Sequence, residues 1–456
     1  MTALAHLERT FDGRLVRPDA DGFAELTARE FAARDDPPAA VAQVRTTAEV
    51  AAAVRAARED GLAVAVRSGG HSYAAHSAGP GGLVLDVRAL DTVSIDPDAL
   101  VGHAGGGATA GAYSRAAGER GLATGFGDTG TVGVAGITLG GGIGFLSRRD
   151  GLTVDNVLSA EVVLADGSLV TADAEHHPDL FWALRGGGGN FGVVTGLTFR
   201  LRPAGVVTGG MLVLEPTPER LAAVNQAVLD APDGLSAMIN LLVAPPAPFF
   251  PASLHGKPIM MVLVCWSGPA EEADAALAPL RALGEPVVDD IGPHPYTDML
   301  QGPPPSPQPL HPAMRTGFAD RLDERWAATA IEAVTSARTF AALNLRPMGG
   351  AIARVPAEAT AFAHREHAVM ASVAAPTPDP AALPAVQAWA DDVAGRLGLS
   401  GAGYVNFMSA AAADDVAAAY PGAVLERLRA VKRTYDPDNL FRYNHNVAPA
   451  PAGAAG

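Results

Sequence analysis

The stretch Arg67-Ser68-Gly69-Gly70-His71-Ser72-Tyr73 (RSGGHSY) decides how this chain reads, and it follows directly on the strand-like run 62–66. Its paired glycines let backbone N–H groups approach a ligand with no Cβ in the way. N–H groups clustered in a turn form a site for phosphate oxygens, and Arg67 adds a positive charge beside them. His71 has two readings here: a turn residue bonded to backbone, or a group with chemistry of its own. Two more glycine clusters follow, Gly125 to Gly144 (GFGDTGTVGVAGITLGGGIG) and Gly186-Gly187-Gly188-Gly189-Asn190-Phe191-Gly192. Each alone reads equally well as a tight turn between packed elements. Three in one block point to a large phosphate-bearing cofactor.

Other nucleotide sites fit less well. Gly187 to Gly192 matches the dinucleotide glycine pattern but lies between a helix and a strand, the reverse of the required order. Gly105-Gly106-Gly107 has the right order, yet Asp128 downstream sits in a glycine loop and not at the end of a second strand. No Gly-Lys-Ser/Thr is present for a P-loop, and no Cys/His spacing suggests a metal site.

The block around these clusters alternates strands and helices. Thr46 and Glu49 form a capping-box pattern ahead of a helix to residue 57, which Gly61 stops. Strands fit 62–66, 83–87, 100–104 and 193–201, helices fit 110–120 and 177–184, and 161–172 reads as a hairpin around Asp166-Gly167. Residues 1–35 read as a helical lead-in and loop. After Pro203 the texture changes. Strands fit 211–214, 237–243, 259–266, 340–345 and 369–374; helices fit 218–229, 271–283, 321–336 and 380–397. This predicts one sheet covered by helices on one face. The proline-rich 302–312 reads as a loop. The tail begins as a strand at Tyr404, continues as a helix over 425–433, and ends in Asp436-Pro437-Asp438-Asn439-Leu440-Phe441-Arg442-Tyr443-Asn444-His445-Asn446.

A length of 456 residues favours more than one domain. The net charge of −16 repels nucleic acid and anionic lipid. One cysteine, Cys265, excludes an intrachain disulfide, and it reads as a small buried core residue. No apolar run reaches the roughly 20 residues of a membrane helix, and no secretory signal is visible. A cytoplasmic enzyme with small-molecule partners is the expectation.

Four motifs in this order resemble the berberine-bridge-enzyme-like branch of the vanillyl-alcohol-oxidase, or PCMH-type, flavoproteins: the stretch 67–73 followed by Leu83-Val84-Leu85-Asp86; Val132 to Gly144; Gly188 to Val194; and the ending 436–446. The resemblance covers roughly 35–203 and 404–447, and more loosely the middle. It implies an α+β fold in which a PCMH-type FAD-binding domain of two α/β subdomains (1–205) is split around a substrate domain with an antiparallel sheet covered by helices (206–403). A C-terminal segment (404–456) returns to the first domain. It implies FAD joined through its 8α-methyl carbon to His71. Residues at the cofactor would be Arg67, Ser68, Gly69, Gly70, His71, Ser72, Thr129, Val132, Gly133, Gly136, Gly141, Gly142, Gly144, Gly192, Val193, Val194, Tyr443, Asn444 and Asn446.

The implied activity is an oxidase that passes hydride from a substrate C–H to flavin N5, with dioxygen reoxidising the flavin to give hydrogen peroxide. Val132 marks where the family controls oxygen access. The pattern is broken at two places. Thr129 falls near a position where many relatives carry a second, cysteinyl link, so no such link is expected. Tyr404-Val405-Asn406-Phe407 ends in phenylalanine where alcohol-oxidising relatives have tyrosine, often the base. The catalytic candidates are Tyr404 and Asn406, two apart on the expected strand and so on one face, with Tyr443. Arg346 or His445 would supply the positive charge that lets a tyrosine act near neutrality. Asp128 is given no role. A nicotinamide-dependent dehydrogenase and a catalytically silent flavin-binding protein are the alternatives.

Overall fold

The computed structural model describes residues 3–29, 31, 36–248, 250–300, 309–399, 401–409 and 411–451. The run Leu83–Asp86 (LVLD) is buried at every position, as a strand covered on both faces must be. It pairs in parallel with Ala40–Gln43 on one side and Val64–Arg67 on the other, and Arg14–Val16 adds an antiparallel edge. Helix Thr47–Glu59 packs on this sheet. Its Thr46 hydroxyl accepts the Glu49 N–H, and the Glu49 carboxylate accepts the Arg45 N–H, one residue earlier than a standard box. The 67–73 stretch begins in the last residue of the edge strand Val64–Arg67, at the carboxyl ends of the parallel strands, where ligands of open α/β sheets bind.

A second, antiparallel sheet runs Val93–Asp96, Val101–Gly105, Val193–Arg200, Val157–Val163, Leu169–Ala172. The last two strands form the expected hairpin, with Gly167 at φ +79°. Because Val101–Gly105 pairs only antiparallel, the glycines after it do not belong to a parallel βαβ unit.

All eight strands of the third sheet lie between Val206 and Ala374. The order is Val288–Asp289, Val206–Leu214, Pro258–Trp266, Leu235–Val243, Ala342–Pro347, Val369–Ala374, Met314–Ala319, with Gly292–Pro295 also on Val206–Leu214. Helices Pro218–Asp230, Ala273–Arg281, Glu324–Ser336 and Leu383–Arg396 bury its outer face in one apolar core. The inner face meets the first block: Met238 packs with Phe145 and Leu146, and Met370 and Phe318 pack with Ile143, Phe362 and Tyr404.

Three expectations need correction. Strand Met314–Ala319 lies where the sequence reads as the continuation of a proline-rich loop; residues 301–308 of that run lie outside the described residues. The lead-in holds two helices and an edge strand, Ala3–Thr10, Phe23–Thr27 and Arg14–Val16. Tyr404 does not start a strand. It precedes a 3₁₀ turn, Val405–Phe407, because its N–H is taken by the Thr316 hydroxyl (2.9 Å) and its C=O accepts the Phe407 N–H (2.9 Å).

The tail returns to the first block. Helix Ala423–Tyr435 carries Lys432, whose ammonium has no exposure and donates to Asp436 (2.7 Å), the Asn190 carbonyl (2.7 Å) and the Phe441 carbonyl (2.9 Å). Asp436 also accepts the N–H groups of Leu440 and Phe441. Asn190 donates to the carbonyls of Gly187 and His445 and accepts the Val447 N–H. Breaking a buried pair by deleting one partner costs about 3–5 kcal/mol. Lys432→Met should lower the urea unfolding free energy by about that amount and expose the tail after Asp436 to protease. An unchanged urea midpoint together with an uncut tail would reject this role.

Candidate functional site

The glycine loops of the first block meet back to back. A Cβ on Gly69 would collide with the backbone nitrogen of Gly133, and one on Gly133 with the Ser68 hydroxyl. Only glycine at both positions allows the approach. The N–H groups of Gly69 and Gly70 have no carbonyl partner among the described residues. The Ser68 hydroxyl and the side-chain carbonyls of Asn444 and Asn446 are buried and unpartnered there too. Such orphans are rare unless a ligand completes them. Gly136 is exposed, with no protein atom outside its own helix turn within 4 Å of the place its Cβ would take. Donors, acceptors and open backbone together fit a large polar cofactor such as FAD.

Other predicted residues have protein neighbours. The Arg67 guanidinium donates to the carbonyls of Leu26 and Ala28, so its charge is held by the lead-in. A Cβ on Gly142 would strike the Thr153 hydroxyl, and one on Gly144 the Phe126 carbonyl. Gly141, at φ +126°, faces Phe362. Gly192 lies against Val162, while Val193 and Val194 are buried strand residues. Val132 is half-buried, and its carbonyl accepts the Ala110 N–H (2.9 Å). Thr129 donates its hydroxyl to Asp128 (2.9 Å). Cys265 is fully buried in the third sheet, where burial pushes its thiol up to about 12. His71 and Ser72 are half-buried in the loop.

The turn at Tyr404 brings the catalytic candidates together by a route other than the expected strand face. The Tyr404 oxygen accepts three N–H groups: Gly142 (3.1 Å), Ile143 (3.2 Å) and Asn406 Nδ2 (3.0 Å). Asn406 is itself held by the Ile137 carbonyl (2.9 Å). Burial raises the Tyr404 hydroxyl above its usual 10, while Asn406, the Arg346 charge and the two backbone N–H groups oppose that rise. Tyr443 is not brought to this pair. Its hydroxyl donates to the Pro80 carbonyl (2.7 Å) and its ring packs with Val16, Phe23 and Val84.

Arg346 and Asp128 complete the site. Arg346 is 4 % exposed and donates to Asp128 (2.6 Å), the Ile143 carbonyl (2.8 Å) and Asn344 Oδ1 (3.0 Å). Burial works against a charged Asp128, but Arg346 and the Thr129 hydroxyl outweigh it and hold the carboxyl below its usual range. The Arg346 guanidinium also lies 4.7 Å from the centre of the Phe407 ring. Phe407 in turn meets Tyr73 and Tyr404 edge-on, at 5.9 and 5.3 Å between centroids. The phenylalanine thus seats the cation beside Tyr404. His445 pairs with His76 (3.1 Å) and takes no such place.

Comparison with known proteins identifies the family. Residues 38–173 match the family model described as FAD binding domain, and 403–448 the model described as berberine and berberine like. The chain is 31 % identical over 461 residues to (R)-6-hydroxynicotine oxidase of Paenarthrobacter nicotinovorans, covering 96 % of this chain and 97 % of that protein. It is 32 % identical to xylooligosaccharide oxidase of Thermothelomyces thermophilus, over 91 % of this chain and 88 % of that one. The chain belongs to the berberine-bridge-like FAD-linked oxidases. The crystal structure of 6-hydroxy-D-nicotine oxidase from Arthrobacter nicotinovorans superposes with a TM-score of 0.85 at 28 % identity, covering 96 % of this chain and 98 % of that one. This FAD-linked oxidase has the PCMH-type α+β fold, and the comparisons favour neither the nicotinamide-dependent nor the silent alternative. Among its described residues no helix is long and apolar enough to cross a membrane.

Gly136 tests the cofactor surface directly. Alanine is the better helix former and meets no protein atom there outside its own helix turn. Gly136→Ala should therefore fold normally yet carry less flavin, read as the ratio of absorbance at 450 to 280 nm. Full flavin occupancy in a folded variant would show that this surface does not touch the cofactor.

Proposed function

We propose that this oxidase holds FAD covalently through His71 alone and oxidises a small organic substrate, with Tyr404 receiving the substrate's hydroxyl or amine proton. The division 1–205, 206–403 and 404–456 is adopted with that reading. When bound, FAD would supply the hydride acceptor for the substrate carbon and the route by which the electrons reach dioxygen as hydrogen peroxide. Ser68, Gly69, Gly70, Gly133, Gly136, Asn444 and Asn446 would hold it. Val132 would govern oxygen access, and Thr129 and the inert Cys265 leave no second covalent link. The single buried cysteine needs no oxidising compartment, in keeping with a cytoplasmic enzyme. Substrates of the relatives range from a hydroxynicotine to an oligosaccharide, so the class taken here is argued separately below.

The observation that carries the reading is the threefold bonding of the Tyr404 oxygen. Donors aimed at a phenolic oxygen favour its ionised form, the form that takes a proton. Arg346 adds a positive charge at short range, and Asn406 fixes the ring's position. Burial opposes ionisation and on balance holds the pKa above 10. The competent fraction therefore grows as pH rises through the neutral and alkaline range.

Two measurements follow. His71→Ala should release FAD into the supernatant on acid precipitation, whereas the unmodified protein keeps it in the pellet; flavin retained by the variant would refute the attachment. Tyr404→Phe should slow flavin reduction by ~10²–10⁴-fold with the bound-flavin spectrum unchanged. The parent's reduction rate should climb with pH beyond 9, and the variant should lose that climb. A loss under roughly fivefold, less than ~1 kcal/mol of barrier, would dismiss Tyr404 as the base.

A further inference from the structure

The inner face of the third sheet carries a polar row set by strand register. Asn240 lies opposite Asn344, Asn344 opposite Ser372, and Ser372 opposite Thr316, the residue that holds the Tyr404 N–H. On the other side of Asn240 the same face becomes apolar: Met261 lies directly opposite, with Leu263 and Met211 beyond. Asn240, Asn344, Met211, Met261 and Leu263 are all half-exposed, whereas the helix-covered face of the same strands is buried. This is a partly open floor, amide at Asn240 and Asn344 and apolar at Met211, Met261 and Leu263, whose apolar residues rest on neighbouring core clusters and whose polar row continues through buried Ser372 and Thr316 to Tyr404.

The amides on this floor have a fixed polarity. Arginine only donates. Arg346 Nε therefore requires the carbonyl oxygen of Asn344, at 3.0 Å. That turns Asn344 Nδ2 toward Asn240, whose carbonyl oxygen accepts it at 2.8 Å. Asn240 is left with its own NH₂ group, which has no partner among the described residues. The ambiguity that normally attends amide orientation is removed by the cation two steps away.

We infer that Asn240 is a specificity-determining residue, whose NH₂ group donates to an acceptor, a carbonyl oxygen or ring nitrogen, on an otherwise apolar substrate lying across Met261. The inference rests on the oxidase reading and names its substrate class. A sugar, with hydroxyls on every side, would find one fixed donor and a methionine surface. A compact apolar molecule with one acceptor matches both halves of the floor.

The test uses the flavin-loaded protein, calorimetric titration and two probes of one shape, 1-indanone with a carbonyl and indane without. The parent should bind 1-indanone about tenfold more tightly than indane, the worth of one hydrogen bond. Asn240→Asp keeps the shape but replaces the outward donor by an acceptor, so the preference should vanish. Asn344→Asp should abolish it as well with Asn240 intact, because the new carboxylate draws the Asn240 NH₂ inward; a packing role for Asn240 would not respond in this way. Equal binding of the two probes within threefold in the parent, no binding of either, or a preference that survives both variants would overturn the inference. Flavin absorbance of the same preparations separates the readings. Protein without flavin fails the oxidase assignment, while flavin-loaded protein without the preference fails only the donor assignment.

Discussion

The chain must close a block that it has left for about 200 residues, and the ammonium of Lys432 closes it. Its three hydrogen bonds, to Asp436 and Phe441 in the turn that follows its own helix and to Asn190 in the third glycine cluster, join two distant pieces of chain in a site with no solvent. A charge there is tolerated only because every donor is satisfied and a carboxylate neutralises it. Asp436 in turn holds the N–H groups of Leu440 and Phe441, so the turn that follows helix Ala423–Tyr435 has one available geometry. Asn190 ties the third glycine cluster to His445 and Val447. From that anchor Asn444 reaches the Gly189 carbonyl and Tyr443 reaches Pro80, beside the loop that carries His71. A tail that would otherwise fray becomes a fixed part of the first block, held beside two of its glycine clusters.

A second constraint acts at Tyr404. Its oxygen takes the N–H groups of Gly142 and Ile143, and the same segment offers the Ile143 carbonyl to Arg346. The glycine run is therefore fixed by Tyr404 and by Arg346 of the third sheet as well as by its own block. Gly141, Gly142 and Gly144 are needed because Phe362, Thr153 and Phe126 occupy the space where Cβ atoms would lie. Their glycine content looks like a cofactor signature in the sequence, and the structure gives it a packing reason. The Gly69–Gly133 contact and the bare surface at Gly136 are the places where glycine serves the open side.

What was legible in the sequence followed periodicity and caps. The helix after Thr46, the hairpin at Asp166-Gly167 and the buried strand Leu83–Asp86 announce themselves through local patterns, and the order of four motifs indicated the split domain. What was illegible is non-local. Asp128 and Arg346 are 218 positions apart, and nothing in GDTG distinguishes a loop cap from an ion-pair partner. Arg67 adjoins a glycine loop in sequence, yet its side chain reaches back to carbonyls 39 and 41 positions earlier. Tyr404 and Asn406 were expected to share a strand face. They meet because the Thr316 hydroxyl takes the N–H that a strand would have used. Asn240 carries no motif, and its role depends on register with Asn344.

An acidic chain that keeps cations inside directs them to its junctions. Arg346, on the third sheet, bonds to Asp128 of the first block; Arg365, just before strand Val369–Ala374, bonds bidentately to Asp155. In the opposite direction, Arg148 of the first block gives its donors to the carbonyls of Leu235, Met348 and Ala231. None of the three is more than 4 % exposed. An apolar interface of the same area would hold the two blocks together but would tolerate sliding, because apolar contact is non-directional. A guanidinium is a planar fork whose bonds fail within a few tenths of an ångström or a few tens of degrees. Three forks that cross the boundary in both directions therefore fix the angle of the third sheet to the first block. Hydride transfer demands that kind of fixed relation, since reacting atoms must be held about 3–3.5 Å apart. The desolvation cost of these cations is the counterpart of a rigid gap between two surfaces drawn from distant parts of the chain.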